Sequence, residues 1–204
     1  MKSSVFESYS EVFKTLATYD DKLLLSDNQL KNKEIRRSKY EELWEKHKSR
    51  FGDPSQSVFK VYSDIGTISA KLLIENIDYA FKAWEFPWSR HYSFDQFCKY
   101  ILPYRCYDET LESWRGYYFK KLSPVVDSLR YQTDPVVVAK AINDWLSIDF
   151  WFCDNLKTFR RGALKPTDLL SGRIAAHCTD QVVLGNSAMR AMGIATSKII
   201  IPTW

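Results

Sequence analysis

The sequence predicts a mainly α-helical chain whose last forty or so residues open a different kind of structure. Three observations carry this reading. Apolar residues recur at helical spacing through roughly the first 160 positions. Thr133-Asp134-Pro135 is a strong helix start, with Asp134 as N-cap and Pro135 in the first helical position. Ser197 to Ile201 is the one convincing strand, and one strand cannot make a sheet. The chain divides accordingly into a helical region, 1–165, and an incomplete core, 166–204, made of one helix and one strand.

Taken in order, residues up to Asp53 read as helical, with Phe6, Tyr9, Val12, Phe13 and Leu16 on one face and Ile35, Tyr40, Leu43 and Trp44 on another. Gly52-Asp53-Pro54 ends that section. A second helical segment runs from about Val58 to Trp84, its apolar face formed by Leu72, Leu73, Ile77, Ala80 and Phe81, and Phe86-Pro87-Trp88-Ser89 breaks it. Ser93-Phe94-Asp95-Gln96 has capping-box spacing for a short helix to about Tyr100. Asp108 or Thr110 is placed to cap a further helix through Trp114 and Tyr118. The helix begun at Asp134 extends to roughly Phe152, carrying Val138, Ile142, Trp145, Ile148 and Phe152. Pro166-Thr167-Asp168 opens a short turn that Gly172-Arg173 closes.

Composition narrows the function classes. A net charge of +4 comes from mixed signs, and the densest basic run, Lys31 to Lys39, is accompanied by Glu34, Glu41, Glu42 and Glu45 at helical spacings. That describes a solvated helix face rather than the unopposed basic stripe a nucleic acid needs. No apolar run reaches membrane-spanning length, and Met1-Lys2-Ser3-Ser4 leads into no hydrophobic signal core. Cys98, Cys106, Cys153 and Cys178 match no zinc spacing and read as free thiols, so neither metal nor cofactor is expected. Seven Trp, twelve Tyr and twelve Phe point to a helical core packed with rings or to a surface that stacks sugars.

The chemistry sits in the last forty or so residues. From about Cys178 to Met192 the sequence reads as a helix, with Val182, Gly185, Met189 and Met192 on one face and little bulk at Ala188 and Ala191. Gly193 fits the C′ position, and Ile194 the hydrophobic contact that accompanies such a cap. Cys178 then lies in the first turn, where unpaired N–H groups and the positive end of the dipole favour a thiolate and can hold an oxyanion. A buried packing cysteine is the plainer alternative. His177 is adjacent and points elsewhere, His47 and His91 precede the cysteine, and no histidine follows it.

The string Cys178-x-Asp180, Ala188-Met189-Arg190-Ala191-x-Gly193-Ile194 and an apolar strand ending Pro202-x-Trp204 resembles the nucleophile segment of transglutaminase-like domains. It is most similar to that of the large transglutaminase-like proteins of Bacteroidetes bacteria. Lys71 to Ile77, Phe86-Pro87-Trp88-Ser89, and Ile101-Leu102-Pro103-Tyr104-Arg105 with Glu112 and Trp114-Arg115 are similar to the helical region of those proteins, so the resemblance covers about Asp64 to Trp204. It implies a papain-like α+β core in which the cysteine helix packs on an antiparallel sheet. Cys178 is the nucleophile that forms a thioester with a peptide or protein amide, resolved by water or an amine. Asp180 and Arg190 support the helix, and the family's His and Asp have no counterpart here. Ala176 stands where the family has glycine. The resemblance thus describes the front part of a cysteine protease or acyltransferase of the cell envelope. On this reading the chain by itself is inactive and able to self-associate through its apolar terminal strand. The other reading is a non-catalytic module binding protein or glycan, with Trp84 and Trp88 as the stacking residues.

Overall fold

The computed structural model describes residues 63–107, 109–148, 151–152, 165–172, 174–175 and 178–199, with helical positions 34–35, 37–39, 41–43, 45–46 and 49. These residues are mainly helical. The expectations for the chain before Glu34, for Cys153 and for the strand residues from Ile200 onward lie outside them. Along the helical positions between 34 and 49, Arg37 pairs with Glu41 and Lys39 with Glu42 on the solvated face. Leu43 reaches the core.

The segment expected to be one helix up to Trp84 is two. α1 (Asp64–Thr67) stops at Ile68, and α2 (Ala70–Trp84) begins afresh because the Ser69 side chain accepts the Leu72 N–H. A serine that satisfies a free first-turn donor starts a helix more readily than it continues one. The buried stripe of α2 is Leu72, Asn76, Ala80 and Ala83, whereas Ile77 and Phe81, expected inside, are 43% and 42% exposed. Apolar spacing alone placed the face about one residue off, because a polar residue, Asn76, is the one turned inward.

α3 (Phe94–Gln96) has the reciprocal Ser93–Gln96 capping box that its sequence predicts, and it runs into a π-helical turn, Phe97–Ile101. α4 (Arg115–Val126) has no side-chain cap, contrary to the expectation from Thr110. The carboxylates before it are used elsewhere, as described below. Gly116 lets α4 approach α2, since a Cβ there would lie 2.7 Å from the Tyr79 ring and 2.9 Å from Glu75 Oε1. α5 (Pro135–Ser147) starts at Asp134, whose side chain accepts the Val136 N–H. It ends five residues before Phe152: Ile148 is already extended, with ψ of 123°.

Trp151–Phe152 form β1 instead of a last helical turn. β1 pairs in parallel with β2 (Ile174–Ala175), Trp151 opposite Ile174 and Phe152 opposite Ala175, with α6 (Pro166–Gly172) between them. A parallel ladder of two residues per strand differs from the antiparallel sheet that the resemblance implies, and it does not amount to the α+β core. α7 (Cys178–Ala191) follows. Its buried residues are Asp180, Val183, Leu184, Ser187, Ala188, Arg190 and Ala191; of the four positions read along one face, Met192 is buried while Val182, Gly185 and Met189 are half-buried. Beyond Ile194 the backbone through Ile199 forms no strand, and Ile199 is 82% exposed.

One core joins the two parts of the chain. Trp88, Trp114, Tyr118, Leu122, Val138 and Ile142 of the helical region pack with Leu169, Leu170, Val183, Leu184 and Ala188 of α6 and α7. Among the described aromatics Trp88, Phe97, Trp114 and Tyr118 are buried, with Phe86 stacked on Trp88 and Trp84 on Phe97, each at 4.4 Å, whereas Phe81, Phe94, Tyr107 and Tyr131 are exposed. No helix among the described residues is long and apolar enough to cross a membrane.

Candidate active site

Cys178 is the first helical residue of α7 and is exposed. A first-turn residue adjoins backbone N–H groups that the helix leaves without partners. Asp180, one of the two residues read as helix support, is fully buried in the same turn. The other, Arg190, lies in the last turn. Its Nε donates to Tyr100 O at 3.1 Å, Nη1 to Arg105 O at 2.9 Å and Nη2 to Thr196 O at 3.4 Å, tying α7 to the π-helical turn and to the chain that follows. Burial lowers the Arg190 pKa, against the opposing pull of Cys106 and Glu109. The structure therefore sets Cys178 and Arg190 at opposite ends of one helix.

The C-terminal end of α7 is bonded by both backbone and side chains. Gly193 has φ of 72°, its N–H meets Arg190 O at 3.2 Å, and the Ile194 N–H meets Met189 O at 2.9 Å, the two bonds of a Schellman cap. Ile194 is buried in the core, and Met189 packs against that core, as the cap predicts. Three side chains from the helical region also donate to carbonyls at this end, Arg190 O thereby accepting a second bond. Trp88 Nε1 donates to Met192 O at 2.6 Å, Ser89 Oγ to Gly193 O at 2.6 Å and Arg115 Nη1 to Arg190 O at 2.9 Å.

The approach to α7 is held from the same side. Glu112 accepts from Thr167 N–H and Thr167 Oγ1, both at 2.8 Å, and so caps α6 from another element. Tyr118 donates its hydroxyl to Pro166 O at 2.6 Å. Burial raises the Glu112 pKa, the two Thr167 bonds opposing it, and burial drives Tyr118 well above its usual range. Glu109 accepts from the N–H groups of Cys106 and Tyr107 at 2.5 and 2.7 Å, and Trp114 Nε1 donates to Tyr104 O at 2.7 Å. Residues of the quoted motif strings thus bond to α6 and to the C-terminal end of α7.

Of the three histidines only His91 lies among the described residues. It follows Ser89, which is bonded beside the far end of α7, and a 14-residue helix is roughly 21 Å long. Two residues of chain reach only about 7 Å, so His91 cannot act as a base for Cys178. Among the described residues no group of three His, Cys, Asp or Glu could hold a metal ion. Trp88, offered as a stacking residue, is wholly buried, which removes it from any glycan surface.

Cys106 gives a clear contrast in thiol chemistry. It is half-buried, and burial, followed by the Glu109 carboxylate, pushes its pKa from 9.0 to about 11. At pH 8 its thiolate fraction should be about 100-fold below that of a thiol of pKa 9, because each pH unit is tenfold. Peptide mapping after brief iodoacetamide treatment should therefore find Cys106 almost unlabelled; labelling at the pace of the unfolded chain would contradict this.

Sequence reasoning quoted Asn76, Trp88, Glu112 and Arg115 within motif strings without their hydrogen-bond partners, and it did not single out Glu109. The partners of Trp88, Asn76, Arg115 and Glu112 lie 12 to 104 residues away, beyond any local pattern, whereas Glu109 bonds the N–H groups two and three residues before it. Comparison with models of known families, with curated proteins and with solved structures finds no match.

Proposed function

We propose that this chain is the helical mount and nucleophile helix of a transglutaminase-like, cysteine-dependent acyl-transfer protein acting on peptide or protein amides. One observation supports it above others: α7 is gripped at its C-terminal end by Trp88, Ser89 and Arg115, and Cys178 is exposed in the first turn at its other end. A fixed helix that presents a thiol at its first turn suits attack on an amide carbonyl. In that step the thiolate sulfur bonds to the carbonyl carbon, the amide nitrogen leaves with a proton, and a thioester remains. Water or an amine then takes the acyl group and returns the thiol. Of the histidines, His91 lies too far from Cys178 to serve as its general base, and His47 and His177 lie outside the described residues. The envelope location remains part of this proposal.

The test is competitive alkylation at pH 7 with peptide mapping. Cys178 should be modified well ahead of Cys98 and Cys106, and a peptide bearing an electrophilic carbonyl-adjacent group should label Cys178 alone. Equal rates at Cys98 and Cys178 would sink the reading.

A non-catalytic binding module is the second reading, favoured by the placement of His91 toward the wrong end of α7. With Trp88 buried, its glycan form rests on Trp84 and the exposed Phe94 beside it. Tryptophan fluorescence that responds to an oligosaccharide panel would support it.

A further inference from the structure

We infer that Arg115 is the positioning residue of α7: its guanidinium, rather than the stem that carries it, fixes where the Cys178 helix sits on the helical region. The observation is a cradle of neutral oxygens around a side chain that is 1% exposed. Nε donates to Asn76 Oδ1 at 2.8 Å and Nη1 to Arg190 O at 2.9 Å. Nη2 faces the carbonyls of Ile101, Leu102 and Pro103 at 2.8, 3.3 and 3.1 Å. Asn76 is itself oriented by donating to Leu102 O at 2.8 Å. One planar cation therefore joins α2, the end of the π-helical turn and the last turn of α7.

The chemistry of this cradle selects a guanidinium. Carbonyls at helix ends lack intrahelical partners and carry the negative end of the dipole, so a cation belongs there. The acceptors spread around the plane of a fork, which five fixed N–H donors match and a compact ammonium does not. Burial, with the Arg190 charge adding to it, lowers the Arg115 pKa to about 9. The Arg190 carbonyl lies 12 residues along α7 from Cys178, roughly 18 Å of continuous helix, so a shift at the pin displaces the other end as a rod would.

The experiment is Arg115→Ala on the full chain, with guanidinium chloride at about 50 mM, well below denaturing levels, and equal urea as the neutral, shape-matched control. Thermal melting and the ratio of iodoacetamide rates at Cys178 and Cys98 are both read. The variant should melt roughly 10 °C lower, and guanidinium but not urea should recover several degrees of it. The Cys178 to Cys98 ratio should fall by about threefold and return with guanidinium. Equal effects of guanidinium and urea, or an unchanged ratio, would overturn the inference. If Arg115→Ala yields no folded protein, Asn76→Ala removes one acceptor, and a wild-type ratio in that variant overturns it equally. The ratio rests on the acyl-transfer reading. A Cys178 no faster than Cys98 in the unaltered chain defeats that reading, whereas the melting rescue tests the cradle separately.

Discussion

Gly193→Ala should be among the most damaging single changes in this chain, lowering stability by roughly 2–5 kcal/mol and the melting temperature by about 10 °C. Two independent costs add. A residue with a Cβ at φ of 72° occupies the left-handed region at about 1–2 kcal/mol. The new Cβ would also stand 2.2 Å from both Ala83 O and Ser89 Oγ, and the first of these is backbone, which cannot swing aside. Relief requires the end of α7 to move off α2, which breaks the Ser89 bond to Gly193 O. Urea denaturation of the variant checks this: a midpoint close to wild type would mean that α7 is not seated on α2 as described.

Trp88→Ala should cost about 4–6 kcal/mol, from the loss of a fully buried indole and the orphaning of the Met192 carbonyl. Trp88→Phe separates the terms. It keeps most of the ring packing against Phe86 and removes only the N–H donor, so roughly 1–3 kcal/mol is expected. Equilibrium unfolding of both variants measures the difference. If Trp88→Phe matches wild type, the bond to Met192 does not hold the helix end. If Trp88→Ala is nearly neutral, the residue is not the core anchor its burial makes it.

Local signals were legible in the sequence. The Ser93–Gln96 capping box, Asp134 before Pro135 and the Gly193 cap each depend on residues within a few positions of one another, and each forms as its spacing predicts, whereas the short turn read at Pro166 is a seven-residue helix. What failed depended on distant partners. Asn76 turned inward because Arg115 and the Leu102 carbonyl await it there, so the apolar face of α2 could not be read from apolar residues alone. The helix expected through Phe152 stops at Ser147 and yields a two-residue pairing with a segment 23 residues on, a contact invisible to periodicity. The site was legible at one end only. Cys178 at a helix start follows from local pattern, whereas the grip of Trp88, Ser89 and Arg115 on the other end is tertiary.

The central claim is that the fold makes Cys178 a nucleophile rather than merely leaving it in solvent. The most direct measurement is the second-order rate constant of Cys178 with iodoacetamide at pH 7, in the folded chain and again in urea. Exposure alone predicts equal rates, because the unfolded thiol is at least as accessible. The account predicts a folded-state rate about tenfold higher, from a thiol held beside the unpaired N–H groups of a helix start. A folded-state rate equal to or below that of the unfolded chain would contradict it and leave Cys178 an ordinary surface thiol.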